Sequence, residues 1–176
     1  MSYFDKFPLI VYDIKGDNKF KLLPDILRRV KLRSNLQDGA VLFDKYDVKE
    51  GENPEDVAFK WFGSADLHWV ILLTNNVTDR YYDWPLSQPD FADKYGAGNE
   101  DSAHHYELVR SSGKTTSSGP SDYSHRVEVN SDETDAITVT NREYEERLQD
   151  QKRQIKLLSK SFLADFIEEF DILVRQ

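Results

Sequence analysis

With 176 residues, no cysteine, 31% charged residues and a formal charge of -9, the chain suits one domain of ordinary size or a small domain with long appendages. The excess of Asp and Glu over Lys and Arg, 32 against 23, argues against gripping a phosphate backbone, which needs clustered bases, and does not favour an anionic membrane surface. The lack of cysteine excludes a disulfide framework and a thiolate metal site, and fits folding in a reducing cytoplasm.

The opening "MSYFDKFPLIVYD" has no charged segment followed by a long apolar run, so no signal peptide is expected. The longest apolar run, Trp69 to Leu73, is far short of a membrane span. Residues 1–40 read as an N-terminal arm. Phe7 to Ile14 is β-branched and aromatic, which predicts a short strand or extended segment. Pro24 followed by Ile26, Leu27 and Val30 at helical spacing predicts a short helix to about Lys31.

Residues 41–95 carry a more complete set of signals. "AVLFDKYDV" reads as a strand ending near Val48. Asn53 is a good N-cap, Pro54 suits the first helical position, and Glu55 and Asp56 lie where the helix dipole favours acids. Val57, Ala58, Trp61 and Phe62 form one helical face, and Gly63 can take the left-handed conformation that ends it. Ser64 caps a second helix carrying Leu67, Trp69, Val70, Ile71, Leu72 and Leu73, apolar nearly all round and so expected to be buried. Asn75 and Asn76 stop it. Val57, Phe62, Leu67, Val70 and Leu73 are the expected core. Beyond it, "DRYYDWPLSQ" places Tyr81, Tyr82 and Trp84 in a turn-rich segment. Such aromatics either fold back over the helices or form a contact surface.

Residues 96–140 are looser. Ser111 to Ser124 is Ser/Thr/Gly-rich and reads as a flexible loop. "HYELV" and "HRVEV" alternate and are expected to pair, with "AITVT" adding a third strand of a small hairpin or meander. Residues 141–176 read as one long amphipathic helix. Thr140 and Glu143 make a T-x-x-E capping box, and an unbroken helix to Val174 would be a rod of about 50 Å at roughly 1.5 Å per residue. Tyr144, Leu148, Ile155, Leu158, Phe162, Phe166, Phe170 and Leu173 recur along it, and Leu163, Ile167 and Val174 widen the stripe. The preceding core is too small to cover so long a face, so a partner is expected.

No catalytic constellation is evident. "SSGKTT" resembles the end of a P-loop, but position 108 is Leu where that motif needs Gly. His104 and His105 are adjacent and cannot both face one metal from a strand. His68, beside Trp69 on the buried helix, reads as structural, and the acids around Asp132, Glu133 and Asp135 as solvated surface. No nucleophile set, metal site or cofactor site is expected.

Two resemblances bear on function. Tyr46, Val48, Gly51, Pro54, Val57, Ala58, Phe62, Gly63, Leu67, Leu72 and Asn75 or Asn76 follow the pattern of a LysM domain, a small strand–helix–helix–strand module. The Gly-containing turn and closing strand of that pattern do not follow. "NPEDVAFKWFGSADLHWVILLTNNVTDRYYDWPLSQ" and "YEERLQDQKRQIKLLSKSFLADFIEEFDILV" resemble blocks of the baseplate wedge protein of T-even-like contractile-tailed phages, the gene product 53 family. That resemblance covers roughly residues 3–95 and 144–174. It implies an α+β fold with a LysM-like core, and a non-enzymatic structural subunit of the virion tail baseplate, assembled in the host cytoplasm. Such a subunit would clamp wedge proteins, help join neighbouring wedges into a ring, and lie near the sheath initiator, with no nucleic acid or membrane as partner. Tyr81, Tyr82, Trp84, Leu158, Phe162, Phe166, Phe170 and Leu173 are the expected partner-facing residues. The LysM pattern alone implies the alternative, a module binding N-acetylglucosamine in peptidoglycan or chitin.

Overall fold

The computed structural model describes residues 3–32, 41–95, 98–110 and 125–175. Helix and sheet are mixed, in an α+β arrangement. In chain order the elements are a 3-10 turn (Tyr3–Lys6), β1 (Leu9–Asp13), β2 (Phe20–Pro24), β3 (Phe43–Asp47), α1 (Pro54–Phe62), a 3-10 turn (Ala65–Leu67) leading into α2 (His68–Thr74), and the single turn α3 (Arg80–Asp83). There follow α4 (Gln88–Tyr95), β4 (Ala103–Arg110), β5 (His125–Val129), β6 (Ile137–Thr140), α5 (Asn141–Arg153), β7 (Gln154–Leu158), a 3-10 turn (Lys160–Phe162) and α6 (Leu163–Arg175). Two compact units divide the chain: residues 1–85 with 152–176, and residues 86–151.

In the first unit β1 and β2 form an antiparallel hairpin. The strand expected in Phe7–Ile14 is therefore present, but the helix expected over Pro24–Lys31 is not. Pro24 is the last residue of β2, paired with Leu9, and Asp25 N–H carries the ladder on to the Pro8 carbonyl at 2.8 Å. The Asp25 carboxylate then holds a turn, accepting from Leu27 N–H (3.3 Å) and Arg28 Nε (3.0 Å). A pairing strand next to the segment outweighs the weak preference of so short a helix.

The strand and two helices that follow lie where the residues predict. The Asp56 carboxylate accepts from Asn53 N–H at 3.0 Å, closing the first turn of α1. Gly63 ends α1 at φ 82°, its N–H bonded to the Phe59 carbonyl. Of the five expected core residues, Val57 and Val70 are fully buried, while Phe62, Leu67 and Leu73 are half-buried against the two clusters described below.

The C-terminal segment corrects the single rod. Its capping box forms as expected: Thr140 Oγ1 accepts from Glu143 N–H (3.2 Å) and the Glu143 carboxylate from Thr140 N–H (3.1 Å). The helix α5 then ends at Arg153, and residues 154–158 run as β7 antiparallel to β3, from Asp47↔Gln154 to Phe43↔Leu158. The chain ends in helix as read, but through two 13-residue helices with a strand between them. "QIKLL" alternates, and Ile155 and Leu157 enter the core together. A helix here would leave the β3 backbone without its ladder. Thus β3 takes its partner strand from β7, late in the chain, and not from the segment directly after α2.

Two apolar clusters meet across α2. One joins Val48, Val57, Ala58, Ile71, Trp84, Ile155 and Leu157; the other joins Phe7, Trp69, Val70, Leu158, Phe170 and Val174. Side chains stitch them to β7. Trp61 Nε1 donates to the Leu158 carbonyl at 2.9 Å. The Asn75 amide donates to the Lys156 carbonyl and accepts from the Lys156 N–H, both at 2.8 Å.

In the second unit the sheet order is β5–β4–β6: β4 and β5 pair as expected, but the sheet is not a meander, because β6 pairs with the other edge of β4 and not with β5. The loop expected over residues 111–124 lies outside the described residues. Glu107 of β4 is buried and lies 2.9 Å from His105 Nε2, 3.1 Å from Arg126 and 2.9 Å from Arg147 of α5. Burial alone would raise its pKa; the donors of His105, Arg147 and Arg126 outweigh burial and lower the value from 4.5 to about 2. A depressed carboxyl pKa contributes stability that is complete above pH 4.5 and is lost as pH falls toward 2. Denaturation midpoints should therefore drop across that window in the parent chain and stay flatter in Glu107→Gln. Parallel curves would remove this role from Glu107.

Candidate partner-binding surface

The eight residues expected to face partners separate into three groups. Trp84, Leu158 and Phe170 are core residues, 5%, 3% and 3% exposed. Phe162 and Phe166 are half-buried against the second cluster. Tyr81, Tyr82 and Leu173 are exposed, at 81%, 62% and 43%. The sequence pattern marks these positions as apolar but cannot separate a stripe that packs on its own chain from one that meets another, and β7 is what draws Leu158 inward.

The tyrosines stand on a turn held at several points. The Asp83 carboxylate accepts from Thr78 N–H (2.9 Å) and Asp79 N–H (3.0 Å), and those N–H groups, Asp79 first, hold its pKa below the usual range. Asp79 caps Tyr81 N–H at 2.9 Å. Arg80 reaches Glu55 (2.8 Å) and Asn53 Oδ1 (3.1 Å) on α1, and Lys152 donates to the Tyr82 carbonyl at 2.5 Å. At the end of the turn Trp84 is sunk in the core, its Nε1 donating to the Glu52 carbonyl at 2.9 Å. The Glu52 carboxylate is itself gathered by Lys60, Lys49 N–H and Tyr46 OH. Burial raises its pKa, and these donors outweigh burial, Lys60 foremost, to give a net lowering. The backbone under Tyr81 and Tyr82 is thus fixed while both rings reach solvent. Two exposed aromatics on a rigid base are what an interface hot spot needs, since little order remains to be imposed on binding.

Around α6 the aromatic packing is dense. The Trp69 ring lies 4.6 Å from Phe170 and 6.3 Å from Phe166, and Tyr3 and Phe7 join from the N-terminal turn. Lys6 pairs with Asp171 at 2.7 Å, tying that turn to α6. An open groove of about 510 Å³ remains between Val30, Leu73, Phe166, Glu169, Phe170 and Leu173. Ile172, 53% exposed, stands on the same helix.

Sequence reasoning passed over the most exposed apolar surface. On the β1–β2 hairpin, Leu9, Val11, Phe20 and Leu22 are 63–66% exposed, and Leu27 beyond it is 88% exposed. The signal was available in the apolar composition of both strands, LIVYD and FKLLP, and was hidden by reading Pro24 as a helix start. Among the described residues there is no group of three side chains able to hold a metal ion, and no helix is long and apolar enough to cross a membrane. His68 Nδ1 lies 3.0 Å from the Ala65 carbonyl, a local structural contact.

Residues 2–107 match the family described as "Base plate wedge protein 53". A similar curated relative is "Baseplate wedge protein gp53" of Enterobacteria phage T4, 40% identical over 43 residues, a stretch that covers 24% of this chain and 22% of that protein. The matched family range runs from the N-terminal turn into β4; β5, β6, β7 and the last two helices lie beyond it.

Proposed function

The chain belongs to the baseplate wedge protein 53 family, and from that premise we propose that it is a structural, non-enzymatic subunit that clamps other wedge proteins and helps join wedges into the ring of a tail baseplate. In this reading it resides in the virion tail, after folding and assembling in the host cytoplasm, with the other wedge proteins and the sheath initiator as neighbours. The observation that carries the reading is the fixed turn presenting Tyr81 and Tyr82, because an exposed aromatic pair on a rigid base serves binding.

The test is co-expression of the tagged chain with the other wedge proteins of its phage, weighed by native mass spectrometry. A complex of defined stoichiometry is expected. Tyr81→Ala/Tyr82→Ala should weaken it by roughly 30-fold or more, the loss of one hot-spot side chain or both, with the melting temperature unchanged. Full-strength assembly of that variant would overturn the role of the turn, and a failure of the parent chain to join any wedge protein would overturn the function.

The carbohydrate-binding alternative gains one point, because β3 does have an antiparallel partner strand, β7. It loses another, because the carbonyl of Glu52 in the turn after β3 is taken by the chain's own Trp84. Sedimentation of the lone chain with insoluble peptidoglycan would favour it.

A further inference from the structure

His104 and His105 of β4 meet where a regular strand would send them to opposite faces. A bulge is the reason. Ala103 lies opposite Thr140 and His105 opposite Val139, so His104 is an extra residue and its ring is re-aimed. It stacks on the Tyr144 ring of α5, with centroids 3.9 Å apart and planes 11° from parallel. His105 Nε2 lies 2.9 Å from the Glu107 carboxylate. The two Nδ1 atoms are 2.8 Å apart. The ring planes cross at 84° and the centroids are 5.0 Å apart, close to the contact distance plus two ring radii, so the nitrogens meet head-on. That line holds a proton but not a metal ion, which would need about 4 Å for two bonds of about 2.0 Å.

The protons can then be placed. A carboxylate only accepts, and Glu107, its pKa lowered to about 2, is ionised wherever histidine titrates. His105 therefore carries a hydrogen on Nε2. When neutral it offers a bare Nδ1, and the hydrogen between the rings belongs to His104 Nδ1. One added proton goes to the remaining nitrogen, His104 Nε2, in a ring that lies on the face of Tyr144, and leaves the contact whole. A second has only His105 Nδ1 to occupy, and two N–H groups cannot point at each other across 2.8 Å. Around the pair, Glu107 is already shared with Arg126 of β5 and Arg147 of α5. Lys94 of α4 and Arg142 and Glu145 of α5 line an open cavity of about 310 Å³ beside His104, and β6 brings no charged side chain.

We propose that His104 and His105 form a one-proton clasp between β4 and α5, which keeps its shape when one proton is added and opens on the second. His104 is the ring that yields, because it is exposed, whereas the His105 side chain is 13% exposed and anchored on Glu107. The clasp makes the second unit acid-sensitive. It uses no group of the tyrosine turn and does not rest on the wedge role.

Nitrogen-15 NMR of the histidine side chains, recorded on the full chain from about pH 8 to about pH 5, tests it. At the basic end His104 is expected as the Nδ1–H tautomer and His105 as the Nε2–H tautomer. Toward acid, the ring-current shift that Tyr144 imposes on His104 should persist through the first protonation and vanish with the second. His104→Phe keeps a ring for Tyr144 to stack on and removes the shared proton, so its Tyr144 signals should be flat across the same range. Two Nε2–H tautomers at the basic end, stacking that survives with both rings doubly protonated, or an acid transition at Tyr144 that persists in His104→Phe would each overturn the proposal.

Discussion

Trp84→Ala is expected to lower the unfolding free energy by about 3–5 kcal/mol, the cost of emptying a well-packed aromatic site. Trp84 is 5% exposed, packed in one cluster with Val48, Val57, Ala58, Ile71, Ile155 and Leu157, so its loss opens a void bordered by β7 and both helices of the core. It also leaves the Glu52 carbonyl without its indole donor. Trp84→Phe should separate the two effects. It keeps much of the apolar volume and forgoes the hydrogen bond, for a smaller loss of about 1–2 kcal/mol beyond any repacking. Urea denaturation followed by far-ultraviolet circular dichroism measures both. An interface residue would give the opposite result, an unchanged midpoint with a weakened complex, and that outcome would return Trp84 to the partner-facing surface.

Asn75→Leu is expected to cost about 2–4 kcal/mol, because it strands the Lys156 N–H and leaves the Lys156 carbonyl only the longer contact from Thr74 Oγ1 at 3.5 Å. The carboxamide is a near match for a strand neighbour: it donates to the Lys156 carbonyl and accepts from the Lys156 N–H, as a paired residue in a ladder would. A second donation, to the Ile71 carbonyl at 2.9 Å, closes the end of α2. One side chain therefore terminates a helix and secures the inner edge of β7. Amide hydrogen exchange at Lys156 offers a local readout. Its protection should collapse in the variant, whereas in a continuous helix through residues 141–174 Asn75 would have no hold on that amide and protection would be unchanged.

Where the sequence could be read correctly, each signal was local. Asn53, Pro54 and Gly63 bound α1, Asn75 and Asn76 end α2, and Thr140 with Glu143 opens α5, each through groups within a turn of one another. The strands "HYELV", "HRVEV" and "AITVT" show their period without help. The errors came where a distant partner decides. Ile155, Leu158 and Phe162 fit a helical stripe as well as "QIKLL" fits a strand; only the unpaired edge of β3, far away in the chain, decides between them. Pro24 was misassigned for the same reason, since β1 holds the segment extended. The candidate surface follows this division. Tyr81 and Tyr82 were legible as aromatics in a turn, but the burial of Trp84 beside them depends on Glu52 and on β7, and the open face of the hairpin depends on recognising β2.

The pairing of β3 with β7 also sets an order of events. Phe43 and Leu158 are partners far apart in the chain, so on the ribosome the edge of β3 waits, unpaired, until the whole intervening unit has been made. Contacts of such high sequence separation form slowly, because a long loop must close before any of them is rewarded. The intervening unit, residues 86–151, closes on itself through nearer contacts and can be folded before the strand that completes its neighbour has left the exit tunnel. Nascent chains halted before Leu158 would present an open strand edge to one another, the condition in which edge strands aggregate. For this chain, the edge of β3 is closed only once β7 has emerged.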